Sequence, residues 1–395
     1  MQMQTQNKKV MGTKVPALRF PEFSGEWGER RLGETADLKN GYAFKSVGYE
    51  GGGEYRVITI GNVKNGKLDI EKTNAISKIP EDLQDHQKLS ISDILVSMTG
   101  NVGRVCVVDK ENCLLNQRVG KIIPTNERID RSFVYQCLNG LKFEFRMRSM
   151  AQGGAQDNIS KSDILSFRFF LPPLPEQQKI AEFLGAVDEK IEQLSKKKSS
   201  IERYKKGVMQ KIFSQEIRFK DENGNSYPDW EENELKAVAT IDWGNTKLTK
   251  SSYVNGGKFL AVSATGADGR IDHAEYRVGT IVLSAIGANC GFLIRPNEDF
   301  TAIKNTITIS ARRNKSISGY IYFSLLRSVI PKRGAAQPFI SKGDLESLTF
   351  AFPSLLEQQK IADFLTSLDE KISAISSELD RAKAFKKGLL QQMFV

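Results

Sequence analysis

The stretch LPEQQKIAEFLGAVDEKI occupies residues 174–191, and LLEQQKIADFLTSLDEKI occupies residues 355–372, 181 positions later. A second pair of segments keeps the same offset, because GAQDNISKSD at 154–163 matches AAQPFISKGD at 335–344. Most of the remaining chain shows little such likeness. Segments that recur at one fixed offset indicate an internal duplication in which some parts are held constant and others are free to change.

Each copy of the repeated stretch begins a predicted long helix. Its apolar residues are spaced alternately four and three apart, which is the pattern of a coiled-coil seam. Lys198 and Lys205 fall on seam positions of the first helix, so we expect the seam to weaken there. The seam residues are Ile180, Leu184, Val187, Ile191, Leu194, Ile201 and Val208 in the first copy, and Ile361, Leu365, Leu368, Ile372, Ile375, Leu379, Ala382, Leu389 and Met393 in the second.

The segments outside the helices have the pattern of mixed α/β units. Short β-rich runs such as DILVSM (93–98) and GTIVLSAIG (279–287) are bounded by Gly and Asn, and each segment then has a helical stretch, at 130–147 and at 316–330. The predicted fold class is α/β (α+β): two pseudo-symmetric α/β units separated by an antiparallel coiled coil of two long helices. The predicted boundaries are a polar tail at 1–18, a first unit at 19–171, a first helix at 172–216, a second unit at 217–352 and a second helix at 353–395.

Composition narrows the classes of function. The chain has 395 residues, a net charge of +10, four cysteines without a CxxC pair and two histidines in separate contexts. We therefore expect reduced thiols, no histidine metal site and no Ser–His–Asp triad. The polar start has no apolar signal-peptide core, so we expect a cytoplasmic protein. No GxxxxGK[ST] loop and no methyltransferase motif is present, and the sequence predicts that the chain itself catalyses nothing.

The sequence supports nucleic-acid binding better than it supports catalysis. Between Asp299 and Asp344 the chain has eight basic residues and no acidic one. Arg and Lys contact phosphates, and Arg, Asn and Gln also read base edges. Such a window is also compatible with a solvated face, and Tyr42 with a core position. The candidate DNA-binding residues are Tyr42, Lys45, Arg104, Arg146, Arg148, Gln156, Lys161, Lys247, Lys250, Lys304, Asn305, Arg312, Arg313, Lys332, Arg333, Gln337 and Lys342.

Two divergent α/β units that alternate with two similar helices, each opened by a PLxEQQKIAxFL-like stretch, resemble the specificity subunit of a type I restriction–modification system. The resemblance covers nearly the whole chain. It implies that each unit is a target recognition domain for one half of a bipartite, asymmetric double-stranded DNA site. It also implies that the helices set the gap between the half-sites and dock two methyltransferase subunits, which two restriction subunits then join.

The resemblance also assigns cofactors to the partners. S-adenosylmethionine belongs to the methyltransferase subunits, ATP and Mg to partner subunits, and no cofactor or metal to this chain. Identical methyltransferase subunits would need the same surface twice. The candidate docking residues are therefore Glu176, Gln177, Gln178 and Lys179, with their repeats Glu357, Gln358, Gln359 and Lys360. The competing readings are another kind of DNA-binding adaptor, a coiled-coil scaffold without nucleic acid, and an enzyme with an unrecognised active site.

Overall fold

The computed structural model describes residues 4–5, 14–151, 157–334 and 336–395. The chain divides into two units, which are Met1–Ser195 with Ser377–Val395, and Lys196–Ser376. This division cuts each long helix near its middle, so each unit contains a part of both helices.

Among its described residues, the first unit has fourteen strands, four shorter α-helices and a part of each long helix. Its helices are α1 (Leu32–Thr35), α2 (Arg131–Leu138), α3 (Leu141–Ala151), α4 (Lys161–Leu165) and α5 (Leu174–Phe213). Its strands are β1 (Gln4–Thr5), β2 (Leu18–Arg19), β3 (Gly28–Arg31), β4 (Ala36–Asn40), β5 (Tyr55–Ile58), β6 (Val63–Lys64), β7 (Lys67–Leu68), β8 (Asn74–Ile76), β9 (Lys88–Leu89), β10 (Ile94–Ser97), β11 (Val105–Val107), β12 (Cys113–Leu115), β13 (Val119–Pro124) and β14 (Arg168–Leu171).

The second unit, which also contains the end of α5, repeats this plan with nine strands among its described residues. Its helices are α6 (Leu235–Val238), α7 (Ser318–Arg327), α8 (Lys342–Glu346) and the first part of α9 (Leu355–Met393). Its strands are β15 (Glu231–Glu234), β16 (Ala239–Trp243), β17 (Phe259–Ser263), β18 (Gly266–Ile271), β19 (Ile281–Ser284), β20 (Leu293–Ile294), β21 (Phe300–Ala302), β22 (Thr306–Ala311) and β23 (Thr349–Phe352).

The central sheets of the two units have the same topology. The antiparallel order β4-β13-β10-β11 in the first unit corresponds to β16-β22-β19-β20 in the second. A parallel pair adjoins each of them, β5 with β12 and β17 with β21. A two-stranded antiparallel ladder, β3 with β14 and β15 with β23, leads into each long helix. The duplication inferred from short repeated segments therefore extends through the divergent parts as well.

The core strands explain why these segments pair. β10 and β19 are buried at all four positions, because each lies in the middle of its sheet with both faces covered. The core of the first unit also takes Ile180 and Leu184 from α5 and Met393 from α9. Each unit is therefore a sheet packed on helices, as the α/β prediction requires. The predicted single helix at 130–147 is two helices, since the chain breaks at Asn139 and Gly140 between α2 and α3.

Within the first unit the two long helices run antiparallel. Lys190 pairs with Glu378 at 3.1 Å, and Asp188 accepts from Lys386 at 2.5 Å, so the numbering falls in one helix as it rises in the other. In the second unit Lys205 donates to Asp369 at 2.5 Å. Lys205 therefore does not simply weaken the seam, because the carboxylate of Asp369 on the opposite helix compensates its positive charge.

Candidate nucleic-acid interface

Four loops of the first unit meet at one end of the strands of its central sheet. Tyr42 N donates to Leu115 O at 2.8 Å, and Gln117 N donates to Tyr42 O at 2.9 Å. Met98 N donates to Arg118 O at 3.1 Å, and Ile159 N donates to Met98 O at 2.9 Å. These bonds join residues 40–45, 98–101, 116–118 and 157–161, which we call loop cluster 1. The cluster surrounds a cleft of about 560 Å³, lined by Asn40, Met98, Thr99, Gln117, Arg118, Asn158, Ile159, Ser160 and Lys161.

The second unit brings the corresponding loops together. Asn245 N donates to Ala302 O at 2.7 Å, and Lys304 N donates to Leu248 O at 3.1 Å. Ala285 N donates to Asn305 O, and Ile340 N donates to Ala285 O, both at 2.9 Å. We call residues 244–248, 285–291, 303–305 and 336–342 loop cluster 2. Both clusters follow the ends of equivalent strands, so each unit presents a similar scaffold of loops.

Some candidate cations of these clusters are already paired with acids. Lys161 Nζ lies 2.7 Å from Asp37, and Lys342 Nζ lies 3.0 Å from Asp242. The Lys161 and Lys39 ammonium groups hold the pKa of Asp37 well below its usual range. In the second unit, the hydrogen bond to Asp242 raises the pKa of Lys342. A phosphate would have to compete with these carboxylates for either lysine.

Two other candidates in the second unit are also held by acids. Arg333 forms a forked contact with Asp344, which holds the pKa of that carboxyl at about 2. Lys250 donates to Asp268 at 2.6 Å and to Thr265 at 2.8 Å. Lys250 therefore anchors the hairpin of β17 and β18, and its charge is largely compensated.

Five exposed cations at or beside the clusters have no ion-pair partner within the described ranges of the chain. Lys332 joins loop cluster 2 because its Cε lies 3.1 Å from the place that a Cβ of Gly291 would occupy. Arg118 was missed by the sequence analysis, since only its pairing with the loop at Met98 shows that it faces the cleft. These five residues are Lys45, Arg118, Lys247, Lys304 and Lys332.

Several predicted residues are placed by other contacts. Tyr42 donates its hydroxyl to Asp82 at 2.8 Å and packs edge to face on Phe44, as part of a small core cluster. Its ring is therefore structural. Asn305 has a left-handed backbone with φ of +71°, and its carbonyl holds loop cluster 2 together. Gln337 is exposed in the same cluster, and Gln156 lies outside the described residues.

Four predicted arginines lie away from the loop clusters, and a fifth lies beside one. Arg312 N donates to Val238 O, and Arg312 Nε donates to Ala239 O. Arg312 and its neighbour Arg313 thus lie at the far end of the six-residue β22, about 20 Å from loop cluster 2. They therefore lie apart from the other DNA-binding candidates of the second unit, and their contact with DNA stays a prediction. Arg146 and Arg148 lie on α3, where Arg148 pairs with Glu144 at 2.6 Å. The half-buried Arg104 adjoins loop cluster 1, because its backbone N donates to Ser97 Oγ.

The repeated EQQK stretch forms an internal joint. Glu176 is 1% exposed and accepts from Arg19 Nε and Nη2 at 2.7 and 2.8 Å. Glu357 is fully buried and accepts from Arg218 at 3.2 and 2.8 Å and from Trp230 Nε1 at 3.1 Å. Each carboxylate thus fastens the chain segment that enters its unit to the first turn of a long helix.

The following glutamines complete this joint. Gln177 accepts from Asp130 N at 2.9 Å and donates to Pro172 O at 2.8 Å. Gln358 accepts from Ile317 N at 2.9 Å and donates to Pro353 O at 2.8 Å. The side chains of Glu176, Gln177, Glu357 and Gln358 are thus buried and bonded within the chain, which leaves them no exposed surface for the docking role predicted from the sequence.

The last two residues of each EQQK stretch are more accessible to solvent than the first two. Gln178 is exposed, and Gln359 is exposed and donates to Asp363 at 2.7 Å. Lys179 and Lys360 are half-buried and lie over the rings of Phe20 and Tyr227. Lys360 also donates to Lys220 O at 2.7 Å.

The described residues contain no group of three or more His, Cys, Asp or Glu side chains placed to hold a metal ion. Burial raises the pKa of Cys113 to about 11 and that of Cys137 to about 12, so these thiols are poor nucleophiles at neutral pH. Within the same residues, no helix is both long and apolar enough to span a bilayer.

Comparison with known proteins gives one consistent result. The chain is 24% identical over 405 residues to the MjaX type I restriction enzyme specificity subunit of Methanocaldococcus jannaschii, with 93% of each chain covered. It is 30% identical over 212 residues to the MjaVIII specificity subunit of the same organism, covering 51% of this chain and 49% of that one.

Its fold is similar to the crystal structure of a type I restriction–modification S subunit from M. genitalium, with a TM-score of 0.73 and 19% identity over 96% of this chain and 99% of that one. The family model of the type I restriction modification DNA specificity domain matches residues 24–203 and again residues 227–383. The chain therefore belongs to the family of type I restriction–modification DNA specificity subunits.

Proposed function

We propose that this chain recognises DNA for a type I restriction–modification complex, and that each unit binds one half of a bipartite, asymmetric site in double-stranded DNA. The observation that supports this most is the pair of loop clusters. They share their backbone scaffold, yet their exposed side chains differ. Such an arrangement suits two modules that contact DNA in the same way and read different sequences.

The charges of the clusters suit this role. Unpaired cations next to a phosphate backbone release counterions, which gives binding a strong dependence on salt. Lys45 and Arg118 in the first unit, and Lys247, Lys304 and Lys332 in the second, would supply these contacts. The ion-paired Lys161 and Lys342 would exchange a carboxylate for a phosphate, with a smaller net gain because their charges are already compensated.

The long helices would set the gap between the two half-sites and dock two methyltransferase subunits. Exposed Gln178 and Gln359, one at the start of each helix, are the parts of the repeated stretch available for docking. Two restriction subunits would complete the assembly. S-adenosylmethionine, ATP and Mg would be bound by the partner subunits, and the complex would act in the cytoplasm. In this proposal the chain itself is not catalytic.

A binding experiment separates this proposal from its alternatives. The chain is reconstituted with its methyltransferase subunits, and its preferred sites are selected from random duplex DNA. We expect a site of two short defined sequences separated by a gap of fixed length. We also expect the logarithm of affinity to fall linearly with the logarithm of salt concentration, by about 0.9 for each phosphate contact.

Two outcomes would contradict the proposal. Selection of no sequence by a folded complex would favour a coiled-coil scaffold without nucleic acid. A single uninterrupted site that the chain binds equally well without methyltransferase would favour another kind of DNA-binding adaptor. The control is the same complex on DNA in which one half-site has been scrambled.

A further inference from the structure

The two loop clusters share one joint whose backbone is the same in both units. Ile159 N donates to Met98 O and Ile340 N donates to Ala285 O, both at 2.9 Å. Two residues further along, Gly100 N donates to Asp157 O at 2.8 Å and Gly287 N donates to Pro338 O at 2.9 Å. The duplication thus supplies two copies of one scaffold within a single chain.

The side chains at the centre of this joint differ in chemistry. In loop cluster 1, Thr99 and Asn158 form a β-bridge, and Thr99 Oγ1 donates to Asn158 Oδ1 at 2.8 Å. In loop cluster 2, the corresponding bridge joins Ile286 and Phe339. A hydrogen-bonded polar pair in one unit is therefore replaced by an apolar pair at the same place in the other.

The outer member of each pair faces solvent. Asn158 is exposed beside Lys161 and Arg118 on the cleft of loop cluster 1. The hydroxyl of Thr99, a residue only 7% exposed, donates to the amide oxygen of Asn158 and so limits how this exposed side chain can turn. Phe339 is 38% exposed even though Ile286 is partly buried against the core of its unit.

The neighbours of Phe339 leave room for its ring. Residue 334 has φ of +78°, a conformation that favours glycine, and a Cβ added there would lie 3.4 Å from Phe339 Cδ1. Phe339 also exchanges two backbone hydrogen bonds of 2.8 Å with Arg333, which fix its position in the loop. The phenyl group is therefore held in place while part of its surface stays in water.

DNA offers one apolar group in the major groove that distinguishes a base pair, the 5-methyl group of thymine. Asparagine is instead suited to adenine, whose N7 accepts and whose N6 donates. We propose that Phe339, with Ile286 behind it, reads a thymine through its 5-methyl group, whereas Asn158 at the same place in loop cluster 1 reads an adenine by hydrogen bonds. This assignment rests on the proposed function and adds the two side chains that make the half-sites different.

Replacement of single thymines by deoxyuridine tests the first half of the proposal, because it removes only the 5-methyl group. The reconstituted complex is titrated with its selected site, with each thymine replaced in turn. We expect one thymine in one half-site at which the wild-type complex loses affinity about fourfold, the loss of one buried methyl group. Phe339→Ala should weaken binding to that half-site and make the uracil series indistinguishable from the thymine site.

The matched control is Asn158→Ala. It should weaken the other half-site and leave the uracil response intact. In that half-site, 7-deazaadenine, which lacks the N7 acceptor, should reduce wild-type affinity at one adenine by at least about fivefold and have no effect on Asn158→Ala. Thermal unfolding of both variants should show a cooperative transition, because each changes one side chain of a surface loop and leaves the core of its unit intact.

Three results would overturn the assignment. One is a half-site for the second unit without a thymine on either strand. Another is a wild-type complex that is indifferent to uracil at every position, which needs no variant to observe. The third is a Phe339→Ala complex that keeps the uracil response. Failure of the complex to select any site would instead contradict the proposed function.

Discussion

The buried pair of Glu176 and Arg19 makes a prediction that separates two roles for the repeated stretch. The carboxylate is 1% exposed, the guanidinium side chain is 12% exposed, and two nitrogen–oxygen contacts of 2.7 and 2.8 Å join them. Arg19 also donates to Gly25 O and Ser24 O, so it ties the entering loop to α5. Glu176→Ala would leave the positive charge of Arg19 without its partner at a site that is largely buried from solvent.

The expected magnitude follows from that geometry. Removing one partner of a buried ion pair destabilises proteins by about 3–5 kcal/mol, since the remaining charge is uncompensated. We expect Glu176→Ala to lower the free energy of unfolding of the first unit by about that amount. Glu176→Gln, which keeps the shape and can still accept a hydrogen bond, should cost less. Glu357→Ala should act in the same way on the second unit, where Trp230 also loses its acceptor.

Urea unfolding followed by tryptophan fluorescence measures this, because Trp27 and Trp230 lie in the cores beside the two joints. Separate transitions for the two units would be fitted individually, since a two-state description need not hold for the whole chain. Gln178→Ala is the matched control in the same stretch. Its side chain is exposed, so its unfolding should differ from the wild type by less than about 0.5 kcal/mol.

The refuting result is clear for this pair of variants. If Glu176→Ala unfolds at the wild-type urea concentration but binds methyltransferase subunits less tightly, the carboxylate serves docking and does not stabilise an internal joint. If Gln178→Ala weakens methyltransferase binding without changing unfolding, the docking surface is the exposed half of the stretch.

Three further predictions concern DNA and partners. Lys332→Ala should lower the slope of log affinity against log salt by about one without changing the preferred site, and Arg333→Ala should lower it less because Asp344 already compensates that charge; an unchanged slope for Lys332→Ala would place it away from phosphate. The purified chain without partners should transfer no radiolabelled methyl group from S-adenosylmethionine to DNA, and transfer above background would show an active site in the chain. Four residues inserted after Ser195 and four after Ser376 should lengthen both helices by about 6 Å and widen the gap between half-sites by one or two base pairs of about 3.4 Å. Sites selected from random DNA would reveal this, and an unchanged gap would exclude the helices as the spacer.

The last of these predictions needs insertions in both helices. Asp188 and Lys386 are paired on one side of the first insertion point, and Lys205 and Asp369 are paired on the other. Extra residues in α5 alone would leave its partner too short to keep both ion pairs. A single insertion is therefore expected to bulge out or to break one pair, and it serves as the control for the double insertion.

The features that sequence alone determined are those encoded locally or by repetition. Apolar residues at spacings of three and four specify α5 and α9, because neighbours on a helix face are three and four residues apart. Buried apolar runs specify β10 and β19, because a strand covered on both faces needs apolar residues at successive positions. The duplicated stretch and its joints identified the family, since the order of units and helices is visible in the chain itself.

Only the tertiary structure decided which side chains are free to act. A residue repeated in both halves looks the same in sequence whether it contacts a partner or its own chain. Only the folded structure shows that Glu176 and Glu357 are bonded to Arg19 and Arg218. The same holds for charge, because Lys342 is neutralised by Asp242, one hundred positions away. Arg118 and Arg312 lie at opposite ends of two equivalent strands, β13 and β22. The sequence does not show at which end of the strands the loops come together. Ion pairing, burial and the convergence of loops depend on distances between residues far apart in the chain, and folding alone fixes those distances.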